Sequence, residues 1–303
     1  MRYNDYNSIL KEKFAGRIQK VTVNAGFTCP NRDGTKGTGG CTYCNNQTFS
    51  PDYCHVPKSV SEQVEEGIKF FHHKYEAQKY LVYFQSYTNT YGEFSQLIKL
   101  YEEALAHPKV VGLAIGTRPD CVNDELLNYF AALAQKKYLM IEYGIESTSD
   151  ETLQFINRRH SFAEAENAIL RTAERDIFVG AHLILGLPNE SREMILSHAG
   201  KISKLPVNAL KLHQLQLVRG TKMAIQYTEN PEIFQLYNVD EYIDLAIDFL
   251  ERLNPAIAIE RFVSQSPKEM LIAPDWGVKN FEFTDKINKR LADRETYQGR
   301  LFC

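Results

Sequence analysis

Short apolar runs recur along the chain, and the stretches between them bring apolar residues back at helical spacing. The runs Ile18–Val23, 80–85, 110–116, 139–144, Phe178–Leu185 and 209–217 predict strands. A Ser59-x-x-Glu62 capping box opens a helix over 61–73. Residues 93–106 read as a helix, because Phe94, Leu97, Ile98, Tyr101 and Leu105 share one face. Further helices are predicted at Asp124–Ala134, from Asp150, after a Ser161-x-x-Glu164 box, and over 191–204. Six strands separated by helices imply a parallel sheet with crossover helices, either doubly wound or a partial barrel. In either arrangement ligands bind at the carboxyl ends of the strands.

The pattern changes near residue 220. A helix at 239–253 is followed by a strand-like run at 257–263, a loop carrying Pro267, Pro274 and Trp276, and a helix at 284–294. The expected division is therefore an α/β core at 1–220 and a small α+β extension at 221–303.

Just past the first strand stands CPNRDGTKGTGGCTYC, with Cys29, Cys41 and Cys44 spaced C-x11-C-x2-C. Four glycines between them let the backbone turn and pass close to a bulky group. Three thiolates can hold three irons of a four-iron cluster, leaving one iron open to a small molecule. The rival is a zinc site in which Cys54 and His55 complete a tetrahedral set with Cys41 and Cys44. Spacing alone does not choose between them. Position at a strand's carboxyl end favours the cluster.

Composition narrows the setting. The 303 residues are 44% hydrophobic, with a net charge of −3, which argues against non-specific nucleic-acid binding over the whole surface. No stretch reads as a signal peptide or a membrane span, so a soluble cytoplasmic protein with no membrane partner is expected. Cys54, Cys121 and Cys303 are then expected to be inert thiols.

The residues after each strand are the ones to inspect. Gln85 to Tyr91 (QSYTNTY) is a polar, aromatic shelf, and Gly116 to Asp120 (GTRPD) follows the third strand. Glu142 and Glu146 flank Gly144, with Asn157-Arg-Arg-His160 one helix later. Gly186-Leu187-Pro188 offers a surface for a flat ring. Lys211 and His213 alternate in register, so they share one strand face, and burying that pair against helices would be costly. They are expected to face the lumen. His182 reads as an ordinary core histidine. Tyr87, Tyr91 and Tyr143 are expected to wall the lumen.

Together these motifs resemble the radical S-adenosylmethionine (SAM) superfamily, and more narrowly the YhcC/YtqA-like family related to the catalytic subunit of elongator. The resemblance runs from GFTCPNRDGTKGTGGCTYC through SYTNTY, GTRPD, EYGIES, NRRH, GAHLILGLPNE and LKLHQLQLVRGT to SPKEMLIAPDW. It implies a (β/α)6 partial TIM-type barrel and a [4Fe-4S] cluster on Cys29, Cys41 and Cys44. It implies that SAM chelates the open iron and is cleaved reductively to a 5′-deoxyadenosyl radical. Ser86, Tyr87 and Thr88 match the position of the SAM amino-group binder, and Glu146 and Arg158 match polar SAM contacts. Gly186, Leu187 and Pro188 match the strip beside adenine. An electron donor of the flavodoxin or ferredoxin type is implied. The first cysteine gap is longer than the superfamily's usual one, as in the elongator-like branch, and His182 stands where a carboxylate is often found. The chain has no room for elongator's acetyltransferase domain, so acetyl transfer is not implied.

Kinship with elongator points to tRNA, at the C5 side chain of the wobble uridine. A small-molecule substrate is the alternative, and a zinc-knuckle binding module a third. Basic residues cluster at Lys204, Lys211, Arg219 and Lys222, at Arg2, Lys11, Lys13, Arg17 and Lys20, and at Lys286, Lys289, Arg290, Arg294 and Arg300. Such clusters suit local phosphate contacts, and the two terminal ones equally suit solvated helix faces. Lys211, His213, Arg219 and Lys222 are the candidate substrate contacts.

Overall fold

The structure, a computed structural model, describes residues 1–49, 51, 53–54, 58–72 and 78–302. His55, His73 and Cys303 lie outside them.

Seven strands pair in parallel: β1 (Ile18–Val23), β2 (Lys79–Phe84), β3 (Val110–Thr117), β4 (Tyr138–Glu146), β5 (Phe178–Leu185), β6 (Ala209–Gln214) and, beyond a short β7 (Leu217–Val218), β8 (Ala258–Arg261). The sheet therefore has one strand more than the apolar runs predict: the run at 257–263 joins β6 directly. β7 pairs antiparallel with β9 (Leu271–Ala273) in a separate ribbon.

The sheet curls into a partial barrel. Lys20 on one edge strand and Glu260 on the other form an ion pair at 2.7 Å across the lumen. The N-terminal segment covers the β8 edge, where the Ile259 amide donates to the Asn4 carbonyl at 2.7 Å. A covered edge cannot recruit another chain.

Period-two alternation sorts the side chains into two layers. Val21, Val82, Leu113, Ile141, Tyr143, Val179 and Leu210 face outward onto helices. Those helices include α2 (Val60–His72), α3 (Phe94–Leu105), α4 (Asp124–Ala134), α6 (Phe162–Ala173), α7 (Arg192–Ser203) and α9 (Val239–Arg252). The inward residues Leu81, Tyr83, Ala114, Met140, Ala209 and Ala258, with Tyr6 of α1 (Tyr6–Phe14), plug the amino-terminal end of the barrel. Short α5 (Asp150–Phe155) and α8 (Lys222–Glu229), and terminal α10 (Asn280–Asp293), complete the α-helices among the described residues. Both capping boxes exist: Ser59 and Glu62 exchange bonds before α2, and Ser161 and Glu164 before α6. With one end plugged by apolar side chains, the carboxyl end is the open one.

Candidate functional site

The long loop after β1 is folded on itself by its own backbone. The amides of Arg32 and Gly40 donate to the carbonyls of Cys29 and Asn31, each at 2.8 Å. Gly39 and Gly40 take φ of +79° and +77°, a region side chains disfavour. Two later elements pin the loop. The Thr42 amide donates to the Ile156 carbonyl at 3.0 Å, and the Met223 amide of α8 to the Thr42 carbonyl at 2.8 Å.

Cys29, Cys41 and Cys44 all line one cavity of about 180 Å³ at the carboxyl end of the barrel. Burial first, and then neighbouring Cys41, push the Cys44 thiol up to about 11. Side-chain N–H groups already face the sulfurs: Arg158 Nη1 lies 3.5 Å from Cys41, and Asn46 Nδ2 3.5 Å from Cys44. Of the zinc set, Cys54 stands apart from Cys41 and Cys44, and His55 lies outside the described residues. Cys54 lines a different part of the molecule and donates to the Thr22 carbonyl at 2.9 Å. Zinc–thiolate bonds of about 2.3 Å require closely convergent ligands. Among the described residues no three His, Cys, Asp or Glu converge that tightly. Three thiols around a cavity suit a larger inorganic group, such as a four-iron cubane.

Beside the thiols, β4 ends in an irregularity that aims a carboxylate at the cavity. Gly144 and Glu146 oppose consecutive residues of β5, so one β4 residue is extra, and Glu146 takes φ +72°. Glu146 stands 3.6 Å from Arg158, whose Nη2 also donates to the Gly144 carbonyl. A Cβ on Gly144 would lie 2.5 Å from Glu146 Oε1 and 2.7 Å from Arg158 Nη2, so any other residue there would shift the ends of this pair. Arg118 clasps Asp120 with two bonds, at 2.9 and 3.0 Å. Thr88 Oγ1, Arg118 Nη1 and Arg158 Nε are buried without hydrogen-bond partners among the described residues. All three residues line the cavity. Buried polar atoms are normally paired, so these mark where a polar ligand with both charges, such as the amino-acid end of SAM, fits.

Other expected residues fall in different places. Tyr87 and Thr88 line the cavity, and Arg32 lies over the Tyr87 ring at 6.0 Å, while Ser86 is buried outside the lining. Gly186, Leu187 and Pro188 are not in the lining. Leu187 packs in an apolar cluster with Ile184, Leu215 and Phe234. Tyr143 faces the helix layer and bonds Thr172 at 2.7 Å, so it does not wall the lumen. Tyr83 of β2 takes that place. Tyr91 reaches Thr35 of the cysteine loop at 2.8 Å. Arg219 is exposed, with Nε donating to the Glu269 carbonyl at 3.1 Å, and Lys222 packs on Gly39. The 219–223 segment is tied to the cysteine loop, since Asn45 donates to the Arg219 carbonyl at 3.1 Å.

All three basic clusters are reduced by pairing. Arg290 bonds Asp244 at 2.5 Å and Asp240 at 3.1 Å, and Arg294 bonds Asp248 at 2.6 Å, so both are committed to α9. Lys20 and Lys211 lie in the lumen and are not surface phosphate contacts.

Lys211 and His213 face the lumen as their register implied, within a charge network on Glu142 that the motifs did not reveal as a unit. Glu142 is buried and accepts from Lys20 at 2.8 Å, Lys211 at 2.5 Å and His182 at 3.0 Å. Desolvation alone would raise its pKa, but Lys20 and Lys211 outweigh it and hold the carboxyl well below its ordinary value. Burial pulls Lys211 down to about 8. His182, expected in the core, lines the cavity and stacks on His213 with ring centroids 5.5 Å apart.

Comparison with known proteins agrees with this geometry. The sequence profile of the radical SAM superfamily matches residues 28–202, and that of the radical SAM C-terminal domain matches 207–293. The YtqA protein of Bacillus subtilis is 35% identical over 99% of this chain and 93% of its own length. The YhcC protein of Escherichia coli K12 is 33% identical over 90% of this chain and 87% of its own length. The tRNA uridine(34) acetyltransferase of Methanocaldococcus infernus is 25% identical over 61% of this chain and 34% of its own length. A solved structure of the archaeal M. infernus Elp3, lacking its N-terminus, superposes with a TM-score of 0.70 at 15% identity. That match covers 93% of this chain and 64% of the Elp3 chain, and it bears on the fold alone.

Proposed function

The chain belongs to the radical SAM superfamily and, within it, to the YhcC/YtqA-like family. From that premise we propose that it is a SAM-cleaving enzyme whose substrate is tRNA, with the wobble uridine as the modified base. One observation carries the first half: three thiols, the Glu146–Arg158 pair and unpartnered polar atoms line the same cavity at the open end of the barrel.

Cys29, Cys41 and Cys44 would hold a [4Fe-4S] cluster. When bound, that group supplies the electron that splits SAM into methionine and a 5′-deoxyadenosyl radical able to take hydrogen from an unreactive C–H bond. The chain's own residues bind and orient. Arg158 and Arg118 offer free N–H groups to a carboxylate, while Glu146 and Thr88 offer oxygens to an ammonium. The side chains of Tyr83, Tyr87 and Ile184 narrow the space around the reacting end. An external donor of flavodoxin or ferredoxin type completes the reading.

The tRNA assignment is supported by sequence kinship with the M. infernus tRNA uridine(34) acetyltransferase. It is also supported by the position of Arg219 and Lys222 against the cysteine loop. A base must leave its stack to reach such a cavity, which costs a few kcal/mol, and phosphate contacts at the mouth would offset that. The test is mass spectrometry of tRNA nucleosides from cells with and without the gene. A changed set of C5-substituted uridines is expected. An unchanged set, aerobically and anaerobically, would move the assignment to a small-molecule substrate.

A further inference from the structure

The wall of the cavity contributed by β6 and β8 carries a cation, Arg261, that no carboxylate pairs with among the described residues. Glu260 and Arg261 are adjacent in sequence, so an ordinary strand would send them to opposite faces. An irregularity in β8 prevents this: Leu210 pairs with Ile259 but Lys211 with Arg261, leaving Glu260 as the extra residue. Both side chains consequently reach the lumen. Glu260 accepts from Lys20 at 2.7 Å and Lys211 at 3.2 Å, and Arg261 lines the cavity.

At this end of the lumen the charges can be matched, apart from Arg118, which pairs with Asp120, and Arg32, which bonds the Cys44 carbonyl beside the thiols. The lysines Lys20 and Lys211 share the carboxylates Glu142 and Glu260. Glu146, the remaining carboxylate of the lining, is engaged by Arg158. Arg261 is left without an ion pair among the described residues, since the two carboxylates are already shared by two lysines. Its Nη2 donates to His213 Nε2 at 2.8 Å, and its Nε is buried with no partner among the described residues.

That hydrogen bond also fixes the histidine. An arginine can only donate, so His213 Nε2 must be the unprotonated acceptor, and the ring is neutral with its proton on Nδ1. Burial and then Arg261 depress the His213 pKa well below its usual value, in agreement. The ring therefore adds no charge beside the guanidinium. On this half-buried guanidinium the buried, unpaired Nε–H is costly unless an acceptor completes it, and a planar fork suits an oxyanion.

We infer that Arg261, positioned by His213, is the anchor for a carboxylate or phosphate group of the substrate, at the side of the cavity formed by the C-terminal strand. The subsite lies on β6 and β8, whereas the thiols and the Glu146–Arg158 pair come from the β1 loop and the end of β4. The inference rests on the proposed function only in taking the bound anion as part of the substrate.

The test is calorimetric binding to the cluster-reconstituted full chain, at matched ionic strength and with SAM present. The probes are inorganic phosphate, uridine 5′-monophosphate, acetate and succinate, with uridine and acetamide as neutral counterparts. The anions are expected to bind and the neutral probes not. Arg261→Gln should weaken anion binding by roughly tenfold to a hundredfold, the worth of a charge-assisted hydrogen bond. Preference for the phosphate pair indicates a nucleotide source, and preference for the carboxylates a small acid. Arg261→Lys keeps the charge without the fork, should show an intermediate loss, and serves if the glutamine variant takes up no iron. Three results would overturn the inference: anions binding no better than neutral probes, anions binding equally well to wild type and Arg261→Gln, or anions competing with SAM. Because no SAM cleavage is read, intact anion binding without cleavage would count against the proposed function alone.

Discussion

Replacing Glu142 by glutamine removes the carboxylate on which the lumen's charges converge. Its two oxygens accept from Lys20 at 2.8 Å, Lys211 at 2.5 Å and His182 at 3.0 Å, and the side chain is 1% exposed. The amide keeps the shape but not the charge. Glu260 is then left facing Lys20 at 2.7 Å, Lys211 at 3.2 Å and nearby Arg261. Removing one partner of a buried pair typically costs about 3–5 kcal/mol, because a charge stays behind without compensation. At about 2 °C per kcal/mol for a large domain, the melting temperature should fall by roughly 6–10 °C. The assay is denaturant unfolding at neutral pH on Glu142→Gln, Lys211→Met and the double variant. The double variant restores one lysine to one carboxylate, so it should recover roughly 1–3 kcal/mol relative to the sum of the single changes. A cost below about 1 kcal/mol for Glu142→Gln, or additivity within about 0.5 kcal/mol, would refute the reasoning.

Three further outcomes are expected. Lys211 is pulled by burial to about 8, below its usual 10.5, so the folded state releases that proton first. Its destabilising contribution is constant below about pH 8 and is relieved as pH rises toward 10.5. Denaturant midpoints should therefore show wild type gaining on Lys211→Met across that window, and parallel curves would contradict this. Gly37→Ala places a Cβ 2.4 Å from the buried Asn31 Oδ1, so iron uptake should drop. Gly200→Ala, at an exposed position of α7 with nothing within 4 Å, should raise stability by about 0.5–1 kcal/mol. Equal iron content in the Gly37 variant and wild type would show that the loop does not need that approach.

Much of the fold was legible because the apolar runs alternate so regularly with helical ones. What escaped did so for definable reasons. The strand at Ala258–Arg261 has the right composition, but the change in pattern near 220 separated it from the sheet, and Glu260 and Arg261 went with it. The signal was present: a strand following a strongly amphipathic helix, on the same beat as the six before it. Strand parity explains the tyrosine misplacement. Once Glu142 and Glu146 are put in the lumen, Tyr143 must face the helices. His182 sits in register with Gly144, an inward residue, but register is a property of pairing and is not written in either strand alone. The pairing of Arg290 and Arg294 with α9 likewise required knowing that α10 packs on it.

The central claim, that three thiols and a polar cradle hold a SAM-cleaving cluster, is tested most directly by reconstituting the protein anaerobically with iron and sulfide. Metal, sulfide and the visible spectrum are then measured, followed by 5′-deoxyadenosine released from SAM with dithionite. About four irons per chain are expected, the count of one cubane, with release of 5′-deoxyadenosine and methionine. Cys29→Ala, Cys41→Ala or Cys44→Ala should each abolish both, and Cys54→Ala or Cys121→Ala neither. Stoichiometric zinc with no iron uptake, or a full cluster in any of the first three variants, would contradict the account.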